Sequence, residues 1–380
     1  MISLIVINLR EMADEKTHLR EITVLVEIYL LSLRGNGLVV AEYNTEIIDY
    51  IARQSILGYP KNNVFRYQNI QRNDVLNIIK NSKKLGKLIF SKFNVQYGDF
   101  LAWSGNDTQK EIPYDICVSD KLISLKEDSF ILENMGLYKV LNTLTDKKYT
   151  RGLHIFKTFS KFEYNNWFLW TWNFLLSNLK EEYYREYNGN IISIYVSDKV
   201  EFRFNNIISI IPKNILSIED FELYTNSITR EKVFSKWINE ILKHNFDYIS
   251  LKKICSEVAG QNLVTTIKRD LSNDNISRFL QIYEMEYYYG KSDGYELKLF
   301  RVPSKNEFEK NFRIKKINYS VPDSQLNLII EIENTKTNSV LVLRNECRFS
   351  HGQFNGTPEA KMYYEKGQDL SNIYFDVSDI

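Results

Sequence analysis

The order of apolar and polar residues along the chain predicts a succession of helices and strands. Apolar residues recur every three or four positions, the repeat of an amphipathic helix, in the segments 14–33, 44–56, 128–144 and 162–186. A lysine-rich segment at 72–94 fits a further helix, with Asp74 as a candidate cap. Runs rich in β-branched and aromatic residues predict strands at 114–118, 122–126 and 189–215.

The pattern changes near residue 245. Residues 249–283 predict two or three short helices, and 286–302 and 327–343 each predict a β-hairpin. Short helices followed by a hairpin suggest a winged-helix-like unit. We therefore expect two domains, 1–245 and 246–380.

Composition and charge exclude several classes of protein. The chain has 380 residues, with 49 Lys and Arg against 48 Asp and Glu, so its net charge is +1. This balance argues against a histone-like binder of nucleic acid, although it allows a locally basic cleft. A hydrophobic content of 44% is enough for a sizeable core, so the chain is not expected to be disordered.

Cysteine spacing and hydropathy indicate an intracellular protein. Cys117, Cys255 and Cys347 lie far apart and form no CxxC pair, which excludes a zinc ribbon and suits a reducing compartment. The apolar runs, such as 1–10 and 28–33, are too short to span a bilayer. We expect a cytoplasmic protein with no membrane partner.

The segment 111–128 holds the residues most suggestive of chemistry. Asp115 opens one predicted strand, and Ser124 and Lys126 close the next and share one of its faces. With a two-residue loop at 120–121, Asp115 lies opposite Lys126 on the same side of the sheet. A three-residue loop would instead set Asp115 opposite Leu125 and break the site, unless a bulge intervened.

Such a grouping is suited to hydrolysis of a phosphodiester. Asp115 can bind Mg²⁺ through oxygen, and the metal can lower the pKa of a bound water and neutralise charge on the phosphate. Lys126 would orient or activate that water. One acidic ligand is rarely enough, and the candidates for a second are Glu111, Glu127, Asp128 and Glu133. Asp128 or Ser129 could instead cap the helix predicted to follow.

The same segment resembles the core of the PD-(D/E)xK nucleases, the fold of most type II restriction endonucleases. Pro113-Tyr-Asp115 departs from the adjacent Pro-Asp of the family name, and Ser124 stands where the family usually has Asp or Glu. Some members have this Ser-x-Lys form and take the missing acid from the helix that follows. The resemblance therefore implies metal ligands at Asp115, Leu125, Glu133 and Glu111. It assigns Ser124 and Lys126 to the catalytic site.

The resemblance also implies a fold and a function. The fold would be α/β, a mixed sheet flanked by helices in 1–245, followed by a C-terminal α+β region that recognises DNA. The function would be Mg²⁺-dependent cleavage of double-stranded DNA at a specific sequence by a homodimer. The alternative is a non-enzymatic, winged-helix-type DNA-binding regulator. In that case Asp115 and Lys126 make only a surface salt bridge.

Basic and aromatic side chains suggest where DNA would be bound. The expected phosphate or base contacts are Lys83, Lys84, Lys87, Lys268, Arg269 and Arg348. The lysines of segment 80–92 could equally be the solvated face of a helix. The cluster around Trp167, Trp170 and Trp172 could stack on bases, but its helical spacing favours core packing.

Overall fold

The computed structural model describes residues 8–38, 73–103, 114–126, 131–133, 136–179, 182–271, 288–292, 297–349, 351–365, 368 and 375–377. These residues form a mixed α/β structure with three β-sheets. The helices are α1 (Asn8–Gly35), α2 (Asn73–Phe93), α3 (Leu137–Leu144), α4 (Ile155–Phe159), α5 (Lys161–Asn178), α6 (Ile218–Tyr224), α7 (Ser227–Thr229), α8 (Ser235–Ile241), α9 (Phe246–Asp270) and α10 (Lys305–Asn311).

Fifteen strands are present in the described ranges. They are β1 (Leu101–Trp103), β2 (Ile116–Val118), β3 (Lys121–Lys126), β4 (Ile131–Glu133), β5 (Tyr183–Tyr187), β6 (Asn190–Val196), β7 (Lys199–Phe204), β8 (Ile207–Pro212), β9 (Tyr288–Ser292), β10 (Leu297–Arg301), β11 (Phe312–Ser320), β12 (Asn327–Asn334), β13 (Val340–Arg348), β14 (Glu359–Tyr364) and β15 (Phe375–Asp376). A π-helical turn, Arg230–Phe234, joins α7 to α8, and a 3₁₀ turn, Pro322–Ser324, precedes β12.

The first sheet carries the candidate site. Its strand order is β1-β2-β3-β9-β10-β15. All neighbours are antiparallel except β3 and β9, which run parallel. A parallel pair needs a long connection, and here that connection contains α3 to α9 and the whole sheet of β5 to β8. The predicted hairpin at 286–302 is confirmed as β9 and β10.

Helices α1 and α2 cover one face of this sheet. Leu25 of α1 and Leu85 and Ile89 of α2 pack with Ile123 and Leu125 of β3 in one buried cluster. The predicted helices at 14–33 and 72–94 are thus confirmed. The apolar stripe of α2 explains its packing, whereas residues 21–28 of α1 are buried on every side of the helix. The predicted helix at 44–56 lies outside the described residues.

A larger core joins the remaining elements. It combines α3 to α6, α8 and α9 with residues of the β5-β6-β7-β8 sheet and of strands β11 to β14. Trp167 and Trp172 are fully buried in it, which confirms that the aromatic cluster is core. The strands predicted at 189–215 and the hairpin at 327–343 are also confirmed. The helix predicted at 162–186 ends at Asn178, and β5 follows it.

The prediction of two or three short helices from residue 249 is wrong for the described part of that segment. One helix of 25 residues, α9, runs to Asp270. Gly260 lies within this helix, and its lack of a side chain lets the helix pack closely against Tyr319 and Leu326. A Cβ there would lie 2.5 Å from Tyr319 Cδ2. The division into 1–245 and 246–380 stays a prediction, and both the first sheet and the larger core draw residues from each side.

Candidate functional site

The β2–β3 hairpin sets the geometry of the candidate site. Val118 pairs with Lys121 and Ile116 with Ile123, so the two-residue loop consists of Ser119 and Asp120. The predicted loop at 120–121 is therefore wrong, and the pairing is displaced by two residues. Side chains alternate with a period of two, so a displacement of two keeps each residue on its expected face.

Asp115 lies beside Ser124 and Leu125 rather than opposite Lys126. Its Oδ2 atom accepts hydrogen bonds from Ser124 Oγ at 3.2 Å and from the Leu125 backbone N–H at 2.6 Å. Its own N–H donates to the Ile123 carbonyl at 2.9 Å. Two hydrogen bonds thus fix the carboxylate and a third fixes the backbone of Asp115. None of these three contacts uses the Oδ1 atom, so among the described residues it stays available as an acceptor.

The carboxylate lies on the sheet face that points away from α1 and α2. Ile116, Val118 and Ile123 turn toward those helices, so the alternating positions turn the other way. Ser124 on this second face is 2% exposed, whereas Asp115 is half-buried. Strand alternation places Lys126 on the same face as Ser124, two positions further along β3.

The parallel pairing of β3 with β9 adds residues that the sequence pattern did not associate with the site. Tyr289 lies beside Ser124, and Lys291 lies beside Lys126. On the next strand, Lys298 lies beside Lys291. The strand pattern at 286–302 was visible, but no local signal indicated that this hairpin would pair with β3.

The predicted second acids are not brought together with Asp115 by the described structure. Glu133 does not belong to a helix after the hairpin. It lies on β4, which pairs with β14 in a different sheet, and the following helix starts only at Leu137. The short segment 131–133 forms the edge strand of that sheet, and Gly136 precedes the helix. Glu111 lies outside the described residues.

The described residues provide one ligand for a hard divalent cation and not a complete coordination site. In the described ranges, no group of three or more His, Cys, Asp or Glu side chains is arranged to hold a metal. Asp115 offers an oxygen of the type that Mg²⁺ prefers. The Leu125 N–H is used to hold that carboxylate, and the assignment of Leu125 as a metal ligand stays a prediction.

The predicted DNA-contacting side chains fall into three separate groups. Lys83, Lys84 and Lys87 lie on α2, which covers the sheet face opposite to Asp115, and Lys87 Nζ is 4.0 Å from a Glu27 carboxylate oxygen. Lys268 and Arg269 end α9, where the Arg269 guanidinium bonds to Asp270. Arg348 is half-buried at the end of β13, paired in register with Glu359. These groups therefore form no single basic surface around Asp115.

Comparisons with known proteins supply no relative. Neither a family, nor a curated protein, nor a solved structure matches this chain. Within the described part of the chain, no helix has the length and apolar character needed to cross a bilayer.

Proposed function

We propose that the chain is a Mg²⁺-dependent endonuclease that hydrolyses double-stranded DNA at a specific sequence, as type II restriction enzymes do. The observation that carries the proposal is the Asp115 carboxylate. It is held by Ser124 and Leu125 of the next strand and shares a sheet face with the position of Lys126. A carboxylate and a lysine on one face of neighbouring strands are suited to metal-assisted hydrolysis of a phosphodiester.

Each residue has a distinct role in the proposed reaction. Asp115 would hold the cation through Oδ1, the carboxylate oxygen that its hydrogen bonds to Ser124 and Leu125 do not use. When bound there, Mg²⁺ would supply Lewis-acid chemistry, namely a lowered pKa of water and neutralised charge on the phosphate. Lys126 orients the attacking water and stabilises negative charge at the scissile phosphate. Ser124 is a positioning residue, because its hydroxyl bonds to Asp115 and its side chain is buried.

The proposal draws on the resemblance of the segment 111–128 to PD-(D/E)xK nucleases. The first sheet is mixed, is covered by α1 and α2, and carries Asp115 and the Ser-x-Lys sequence on adjacent strands. In the proposal, Glu111 or Glu133 supplies the second acid. The C-terminal region contributes sequence recognition. Two copies of the cytoplasmic chain act together, since a duplex needs two cuts.

The alternative, a winged-helix-type regulator, gains no specific support. Its helical segment is the single long α9 as far as Asp270, and its hairpin is part of the first sheet beside β3. Both strands of this hairpin pair within a six-stranded sheet, so the hairpin does not project as the wing of a winged helix does.

Incubation of the full-length protein with phage DNA tests the proposal. With Mg²⁺ the wild-type protein should give discrete fragments, and Lys126→Ala should give none. Asp198→Asn is a control, because Asp198 also accepts a hydrogen bond from a serine hydroxyl but lies in the turn between β6 and β7 of another sheet. This variant should cut like the wild type. DNA that is retarded but never cut would contradict the proposal and favour a regulator.

A further inference from the structure

A cavity of about 210 Å³ lies between α9, the 3₁₀ turn before β12 and the end of β13. Phe156 of α4 and Phe349 form an aromatic wall, with their rings nearly parallel and their centroids 5.3 Å apart. Leu326 adds an aliphatic surface, and the cavity is partly open to solvent. Because a cavity of about 150 Å³ accepts benzene, this one has room for a small ring with a charged head group.

Two basic side chains line the same cavity from different elements. Lys252 belongs to α9 and Arg348 to the end of β13, and both are half-buried. Burial lowers the pKa of Lys252, and the charge of Asp323 acts in the opposite direction. A cation that is removed from water is costly without negative charge beside it. These two side chains therefore favour an occupant that carries negative charge.

The carboxylates around the cavity have partners of their own. Glu346 accepts a hydrogen bond from the Gln325 amide at 2.9 Å, and on the next strand a Glu359 oxygen lies 3.9 Å from Lys361 Nζ. In the described part of the chain, neither of the two cavity cations forms an ion pair with these groups. Two cations against the single acid Asp323 leave one excess positive charge. A carboxylate monoanion matches that charge better than a dianionic phosphate does.

The remaining polar lining also indicates a polar occupant. The Oε1 atom of Gln353 is buried and has no hydrogen-bond partner among the described residues, although the Ser235 hydroxyl anchors its backbone carbonyl at 3.0 Å. A side-chain amide can turn over and offer its NH₂ group to an anion instead. Burial raises the pKa of Cys347 to about 12, so this lining thiol stays neutral and supplies no negative charge itself.

We propose that this cavity binds a small organic carboxylate that carries an apolar ring. The Arg348 guanidinium binds the two carboxylate oxygens, as its planar fork allows, and Lys252 and the Gln353 amide donate to them. The ring lies against Phe156 and Phe349. The inference goes beyond the nuclease function and does not rest on it, because none of the described lining residues belongs to the first sheet.

A ligand-observed NMR titration with benzoate tests the proposal on the full-length protein, without DNA or Mg²⁺. Benzoate should bind with a dissociation constant of roughly 1 mM, as expected for so small a ligand. Benzyl alcohol has the ring without the charge, and it should bind at least about tenfold more weakly because it loses the charge-assisted hydrogen bonds. Sodium chloride at the same ionic strength serves as the blank.

Three variants locate the bound carboxylate. Lys252→Met and Arg348→Gln each remove one charge and should weaken benzoate binding about tenfold or more. Lys253→Met is the matched control, because Lys253 is the next residue of α9 but is exposed and lies 3.8 Å from a Glu257 oxygen. This control should bind benzoate like the wild type. Lys252→Met replaces a half-buried charge with an apolar side chain of similar length, so it should fold normally by circular dichroism.

The titration has outcomes that contradict the proposal. Absence of saturable benzoate binding to the wild-type protein would overturn it, as would equal affinities of the wild type, Lys252→Met and Arg348→Gln. An equal loss in Lys253→Met would reduce the effect to the net charge of the surface. Tighter binding of phenyl phosphate than of benzoate would overturn the choice of a carboxylate.

Discussion

His154 should make the stability of the fold fall as the pH drops from neutral toward about pH 5. The imidazole caps α4, where its Nδ1 atom accepts a hydrogen bond from the Lys157 backbone N–H at 3.2 Å. Burial of the ring, and then the nearby Lys157 charge, lower the pKa of His154 from 6.5 to about 4. Between about pH 6.5 and pH 4, therefore, His154 is mostly protonated in the unfolded chain and mostly neutral in the folded state.

The sign and size of the effect follow from these two values. A group with a lowered folded-state pKa contributes stability above its unfolded pKa of 6.5 and loses that contribution as the pH falls toward about 4. Between about pH 7 and pH 5 the His154 side chain takes up about 0.7 of a proton in the unfolded chain and about 0.1 in the folded chain. The free energy of unfolding should therefore fall by about 2 kcal/mol.

Urea unfolding of the wild-type protein and of His154→Asn at both pH values measures this difference. Asparagine is a favourable N-cap residue and does not titrate, so the variant keeps the cap and loses the proton uptake. The wild type should lose about 2 kcal/mol more than the variant over this interval. Equal losses in the two proteins would refute the reasoning, because every other titrating group is common to both.

Three further predictions concern acid stability, helix packing and the site. The hydrogen bonds from the Arg301 guanidinium lower the pKa of Glu307 to about 2. The ionised Glu307 should therefore stabilise the folded state in full above pH 4.5, and this contribution should be lost as the pH falls toward 2. Glu307→Gln should remove this part of the acid transition in circular dichroism. Gly260→Ala should destabilise the protein by about 1–3 kcal/mol in urea, because the new methyl group would overlap the Tyr319 ring. Ser124→Ala should slow DNA cleavage about tenfold, as expected for a lost hydrogen bond to a carboxylate, and raise the Mg²⁺ concentration needed for half-maximal cleavage.

Local sequence patterns identified much of the fold. The strands of the β2–β3 hairpin, the helices at the N-terminus and the β9–β10 hairpin all follow from periodicity or turn residues over a few positions. Trp167 was recognisable as core because its apolar neighbours recur at helical spacing. Such signals depend on each segment alone, so they predict its structure without knowledge of the tertiary contacts.

The remaining features depend on contacts between distant segments. The parallel pairing of β3 with β9 has no local signature, so Lys291 was not associated with Lys126. The hairpin loop was misplaced because Ser119 adopts a positive φ of 57°, which is uncommon for a residue other than glycine. Glu133 falls in the predicted helix because Ile131–Glu133 is too short to show strand periodicity. The segment forms a strand only by pairing with β14.

The rate at which the protein cuts DNA, with and without the Asp115 carboxylate, tests the central claim most directly. Asp115→Asn keeps an oxygen acceptor for the Leu125 N–H but removes the charge that would hold the cation. With saturating Mg²⁺ and equal folding by circular dichroism, this variant should cut phage DNA at least about a thousandfold more slowly than Asp198→Asn, because an essential metal ligand is lost. Equal cutting by the two variants, or cutting by the wild type in EDTA, would contradict the account.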